Sequence, residues 1–114
     1  MQRETPLMPS KSSKSRPKPA LEEIKQMLRD RLPQLREEYS ICDIWLFGSY
    51  VRGEQHRRSD LDVLVEFEEV PTLPRFISLE RKLHDITGIK VDLVSVGALK
   101  GETGERILQE KVQL

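Results

Sequence analysis

Three short apolar runs, each carrying or abutting an aspartate, constrain this chain more than any other feature. They are Ile41 to Phe47, Leu61 to Phe67 and Val91 to Val96. Each is rich in β-branched and aromatic residues and too short for a buried helix, so each is read as a strand. Side chains alternate faces along a strand. In Asp60-Leu61-Asp62-Val63-Leu64-Val65, therefore, Asp60 and Asp62 point one way while Leu61, Val63 and Val65 point the other. Two carboxylates on one face repel each other unless a cation sits between them. Hard divalent ions such as Mg²⁺ favour oxygen ligands of this kind.

Between the first two runs lies Gly48-Ser49, followed by ten residues of basic, polar loop before Asp60. Glycine lets a backbone approach phosphate closely, and N–H groups at a turn or helix start favour anions. The Ser49 hydroxyl can donate to a phosphate oxygen. Arg52, one turn on, either contacts phosphate or braces the loop by pairing with an acid; both readings stay open. In Lys90-Val91-Asp92-Leu93-Val94 an aspartate interrupts a third strand. If that strand neighbours the second, Asp92 completes a set of three carboxylates. Such a set suits phosphoryl transfer, in which two Mg²⁺ ions about 4 Å apart clamp the attacking and leaving oxygens. The third carboxylate can take the proton of the attacking hydroxyl. A lone Gly-Ser or a lone Asp-x-Asp carries little weight; their order and spacing together carry the argument.

The rest of the chain frames these runs. Leu21, Ile24 and Leu28, then Leu32, Leu35 and Tyr39, recur at helical spacing. Pro33 interrupts them, which predicts a helix over about residues 20–30, a break, and a second short helix to Tyr39. Thr72 is the expected N-cap of a helix with Pro74 in its first turn, with Leu73, Phe76, Ile77, Leu83 and Ile86 inward and Gly88 at its end. A last helix is expected from about Thr103 to Leu114, with Ile107, Leu108 and Val112 inward. The pattern predicts an α+β sandwich, a small mixed sheet with helices packed on it.

At 114 residues there is room for one small domain. It is placed at residues 20–114. Residues 1–19 are rich in Pro, Ser, Lys and Arg and read as a flexible basic tail, more a solvated extension than a specific arm. Net charge is zero, and the chain without its tail is slightly acidic, which argues against strong nucleic-acid binding. No apolar run approaches membrane-spanning length and the N-terminus is polar, so a cytoplasmic protein without a membrane segment is expected. Cys42 stands alone in an apolar run and is expected to be buried. His56 and His84 read as solvated or boundary residues, and Arg57 and Arg58 as a small cationic spot. Trp45 and Phe47 read as core. Tyr50 fits base stacking and packing beneath the loop equally well.

The string Leu46-Phe47-Gly48-Ser49-Tyr50-Val51-Arg52-Gly53 with Ser59-Asp60-Leu61-Asp62-Val63-Leu64-Val65 resembles the signature of the nucleotidyltransferase superfamily related to DNA polymerase β. It is most similar to the minimal nucleotidyltransferases, over about residues 21–114. Val51 replaces the alanine common among them, a small change. The resemblance implies a polymerase β palm-like fold. It implies Gly48 and Ser49, with Arg52, at the nucleotide phosphates, and Asp60, Asp62 and Asp92 as catalytic and Mg²⁺-ligating residues. It further implies the antitoxin half of a toxin–antitoxin pair, in hetero-oligomeric association with a HEPN-domain ribonuclease, to whose tyrosine hydroxyl AMP passes from ATP. Larger members carry a further domain for the acceptor, which this chain is read as lacking. The alternatives are a non-catalytic module that neutralises its partner by complex formation, and a transferase acting on a small molecule such as an aminoglycoside.

Overall fold

A computed structural model describes residues 19–114. The tail reading therefore lies outside the described residues, Pro19 excepted. Helix α1 (Leu21–Tyr39) leads into β1 (Ile41–Phe47), a single-turn helix α2 (Ser49–Arg52) and β2 (Leu61–Phe67). Helix α3 (Leu73–Thr87), β3 (Val91–Ser95), a 3₁₀ turn (Val96–Ala98), α4 (Gly101–Glu110) and β4 (Val112–Gln113) complete the order. The strands form one sheet in the order β3-β2-β1-β4. Strand β1 runs antiparallel to β2 and β4, whereas β2 and β3 run parallel. The expected mixed sheet with helices is thus present.

The sheet is covered on both faces. Ile24, Leu28 and Leu35 of α1 and Leu79 and Leu83 of α3 pack with Ile44, Leu46, Leu61, Val63, Val65, Val91 and Leu93. On the other face Phe47, Leu64 and Ile107 of α4 form a smaller cluster, flanked by Trp45, Val94, Val96 and Leu99. Strand β2 lies inside the sheet and buries both its faces, which is why its apolar run is nearly continuous. Asp62 interrupts that run on the α4 face, one step before Leu64.

Several sequence expectations are corrected. Helix α1 is unbroken through Pro33. Pro33 is exposed and forfeits one bond to the Arg29 carbonyl, a defect of about 3 kcal/mol. Burial of Leu35 and Tyr39 beyond it returns about 1.5–3 kcal/mol each, enough to carry the helix on. Cys42 is exposed. The ladder between β1 and β2 shifts register between Ile41 and Asp43, and this bulge puts Ile41 into the core and turns Cys42 out. On α3, Leu73 and Ile77 are exposed; the stripe facing the sheet is Phe76, Leu79, Leu83 and Ile86. Strand β3 ends at Ser95, so Val96 opens the 3₁₀ turn instead. Helix α4 stops at Glu110, Leu108 is exposed, and Val112-Gln113 pairs with Leu46 and Trp45 as an edge strand. Thr72 does cap α3, its hydroxyl accepting the Arg75 N–H at 3.4 Å, and Gly88 ends it with φ of 75°. Among the described residues no helix is long and apolar enough to cross a membrane.

Candidate active site

The strand ladder assembles the site. Phe47 pairs with Asp62 across β1 and β2, and Asp62 pairs in register with Asp92 across β2 and β3. The Gly48 turn, Asp62 and Asp92 therefore lie side by side on three adjacent strands. Asp62 and Asp92 are direct neighbours on the face that also carries Leu64 and Val94. Asp60 immediately precedes β2. The loop delivering it is folded by its own bonds: Ser59 Oγ accepts the His56 N–H at 2.9 Å, and His56 O accepts the Ser59 N–H at 3.0 Å. The Leu61 N–H donates to Lys90 O at 2.8 Å and ties the start of β2 to β3.

Gly48 is required at its position twice over. Its φ is 83°, a conformation that L side chains adopt only with strain. A Cβ there would stand 1.9 Å from Asp62 Oδ2, so the Asp62 carboxylate packs directly on the turn. Gly48 O accepts the N–H groups of Val51 and Arg52 at 3.0 and 3.1 Å, winding α2 behind it. Ser49 opens that helix, half-buried.

Charge is concentrated here. Burial, then the neighbouring charges of Asp92 and Asp60, push the Asp62 carboxyl up to about 6, against the opposing pull of Arg52. Asp60 and Asp62 are half-buried and Asp92 is exposed, so the carboxylates open to solvent. Oxygen donors crowded closely enough around Asp62 to raise its proton affinity suit a hard divalent cation. Among the described residues, however, no group of three His, Cys, Asp or Glu side chains converges into a ready-made ligand cage. The ladder sets Asp62 beside Asp92, and Asp60 is near enough for its charge to reach Asp62.

Arg52 realises the bracing reading. Its Nη1 donates to Glu110 Oε1 at 2.8 Å and its Nε to Glu54 Oε1 at 2.9 Å. Glu110 was missed by sequence reasoning. Its second oxygen, Oε2, accepts the Gly48 N–H at 2.6 Å. Burial works to raise its carboxyl, but the bonds from Arg52 and Gly48 outweigh it and the net shift is downward. The only signal in the sequence was that Arg52 would seek an acid; nothing local said it would come from the far end of the chain. Tyr50 is buried in the main core, which excludes the base-stacking role. Burial and then the charge of Asp60 raise its hydroxyl's pKa. His56 and Arg57 are exposed loop residues, as expected.

A glycine turn apposed to strand-borne aspartates, on a mixed sheet between helices, defines a class of nucleotide-transferring enzymes. The chain belongs to the nucleotidyltransferase domain family, whose model matches residues 21–114, and is a nucleotidyltransferase. It is 46% identical over 92 residues to the protein adenylyltransferase MntA of Thermococcus cleftensis, covering 81% of this chain and 93% of that one. A solved minimal nucleotidyltransferase superposes with a TM-score of 0.71 at 34% identity, covering 84% of this chain and 97% of the other. A toxin–antitoxin complex with AMP-PNP gives a TM-score of 0.62 at 27% identity, covering 74% of this chain and 69% of that one.

Proposed function

We propose that this chain is a protein adenylyltransferase that moves AMP from ATP to a tyrosine hydroxyl of a HEPN-domain toxin and thereby acts as its antitoxin. The observation that carries the reading is the apposition of the Gly48 turn with Asp62 and Asp92 on three adjacent strands. The adenylyltransferase relative and the toxin–antitoxin complex holding AMP-PNP support the donor, the acceptor class and the partner.

In this mechanism Ser49 and Arg52 bind the β- and γ-phosphates, leaving the α-phosphate toward the carboxylates. Asp60, Asp62 and Asp92 would hold Mg²⁺, which supplies neutralisation of the charge spread over the phosphate oxygens. Asp92, the most exposed of the three, accepts the proton of the incoming hydroxyl. The bond from that oxygen to the α-phosphorus forms as the bond to pyrophosphate breaks, and pyrophosphate leaves with the electron pair. Because the carboxylates open to solvent, the partner's own surface orients the acceptor.

The test is incubation of the chain with α-labelled ATP, Mg²⁺ and a HEPN protein encoded beside it. Label retained on the HEPN protein, and lost with Asp60→Ala, is the expected result. If no label transfers while the two proteins still co-purify in fixed ratio, the chain neutralises by occlusion and the enzymatic reading fails.

A further inference from the structure

The end of α4 reaches the candidate site through the Glu110 side chain. Glu110 is mostly buried, its side chain 16% exposed, and each carboxylate oxygen takes one donor: the Gly48 backbone N–H and the Arg52 guanidinium. One carboxylate therefore bridges the fixed backbone of the turn and the mobile end of a long side chain. Arg52 also pairs with Glu54, but that side chain is 65% exposed and lies two residues away on the same loop, so it gives a weak, screened restraint. A bond from a charged donor to a buried carboxylate that is itself tied to the backbone is the stronger anchor.

From this geometry we propose that Glu110 is a positioning residue for the nucleotide: it fixes Arg52 relative to the Gly48 turn, so that the remaining guanidinium donors meet a triphosphate in a preset orientation. A planar guanidinium has five N–H donors. Glu110 and Glu54 take two, on Nη1 and Nε, and the others remain for phosphate oxygens. Without Glu110, ordering Arg52 falls to the binding event, and its conformational entropy is charged against affinity. The inference rests on the phosphate-binding role proposed for Arg52, and it extends the site to α4, which carries none of the sequence motif.

The test is a double-mutant cycle read by calorimetric titration with Mg²⁺ and a non-hydrolysable ATP analogue. Glu110→Ala on the parent is expected to weaken binding on the order of tenfold, and Glu110→Gln to recover only part, since its amide presents N–H to one of two donors. On an Arg52→Ala background, Glu110→Ala is expected to cost little more, because the group it positions is gone. Amide exchange at Gly48, followed without nucleotide, is expected to quicken in Glu110→Ala. Undiminished affinity of Glu110→Ala, or a loss that persists in full on the Arg52→Ala background, overturns the proposal. So does tighter binding, which would mean the carboxylate competes with phosphate for the same donors. If the parent binds no nucleotide, the nucleotidyl-transfer reading fails; if the parent binds and only these comparisons fail, Glu110 alone loses its role.

Discussion

Gly48→Ala probes the contact on which the site is built. Two separate penalties follow from the structure. At a φ of 83° an L side chain is strained, which costs about 1–3 kcal/mol. The new methyl would also lie 1.9 Å from Asp62 Oδ2, a separation that real Cβ contacts do not reach, so the carboxylate must retreat by at least about 1 Å. Asp62 is flanked in register by Phe47 on one strand and Asp92 on the other, and Leu64, next on its face, is fully buried. A displacement of this size at a reacting centre lowers the rate by about a hundredfold. For a domain of this size, each kcal/mol lost lowers Tm by about 4–8 °C. Thermal unfolding followed by circular dichroism reads the first effect and AMP transfer at saturating ATP the second. The reasoning is refuted if Gly48→Ala keeps both the parent Tm and the parent rate, since Asp62 would then not depend on the turn at all.

Asp62 makes stability depend on pH in a stated direction. Its folded-state pKa is raised from 3.8 to about 6, so the native state binds the proton more tightly than the unfolded chain does. That contribution is fully present below about 3.8 and is lost as pH rises through 6. Asp62→Asn should therefore be more stable than the parent at pH 8, by about 1 kcal/mol after allowance for solvent screening of a half-exposed group, and equal to it below pH 4; denaturant titrations at both pH values check this. Adding Mg²⁺ at pH 8 should raise the parent's Tm and do so far less for Asp62→Asn, and chelation should reverse the rise. Pro33→Ala restores a backbone donor in the middle of α1 and should stabilise the fold by about 1–2 kcal/mol in urea denaturation, with the gain from the helix partly offset by the looser unfolded chain.

The strands bearing the site were legible because their signal is local. Alternation assigns Asp62 and Leu64 to one face and Val63 to the other without knowledge of any neighbour. The cap at Thr72 and the stop at Gly88 were readable for the same reason. What escaped was set by packing between distant segments. Pro33 is a strong local stop, yet the buried residues after it outweigh it. Cys42 sits in an apolar run, but a bulge fixed by pairing with β2 turns it to solvent. Val112 and Gln113 continue a helical-looking sequence and become a strand only because the edge of β1 is free to receive them. Glu110 escaped most completely: it lies 62 residues from Gly48, and only the fold brings its carboxylate to that N–H.

The central claim is that Gly48, Asp62 and Asp92 form one centre for AMP transfer to protein. Intact-mass spectrometry of a neighbouring HEPN protein, after incubation with ATP, Mg²⁺ and this chain, tests it most directly. The account predicts a mass increase of whole AMP units, mapped by peptide sequencing to a tyrosine, and none with Asp62→Ala or Asp92→Ala. An unchanged partner mass with the parent chain, or an equal increase with the Asp62→Ala and Asp92→Ala chains, would contradict it.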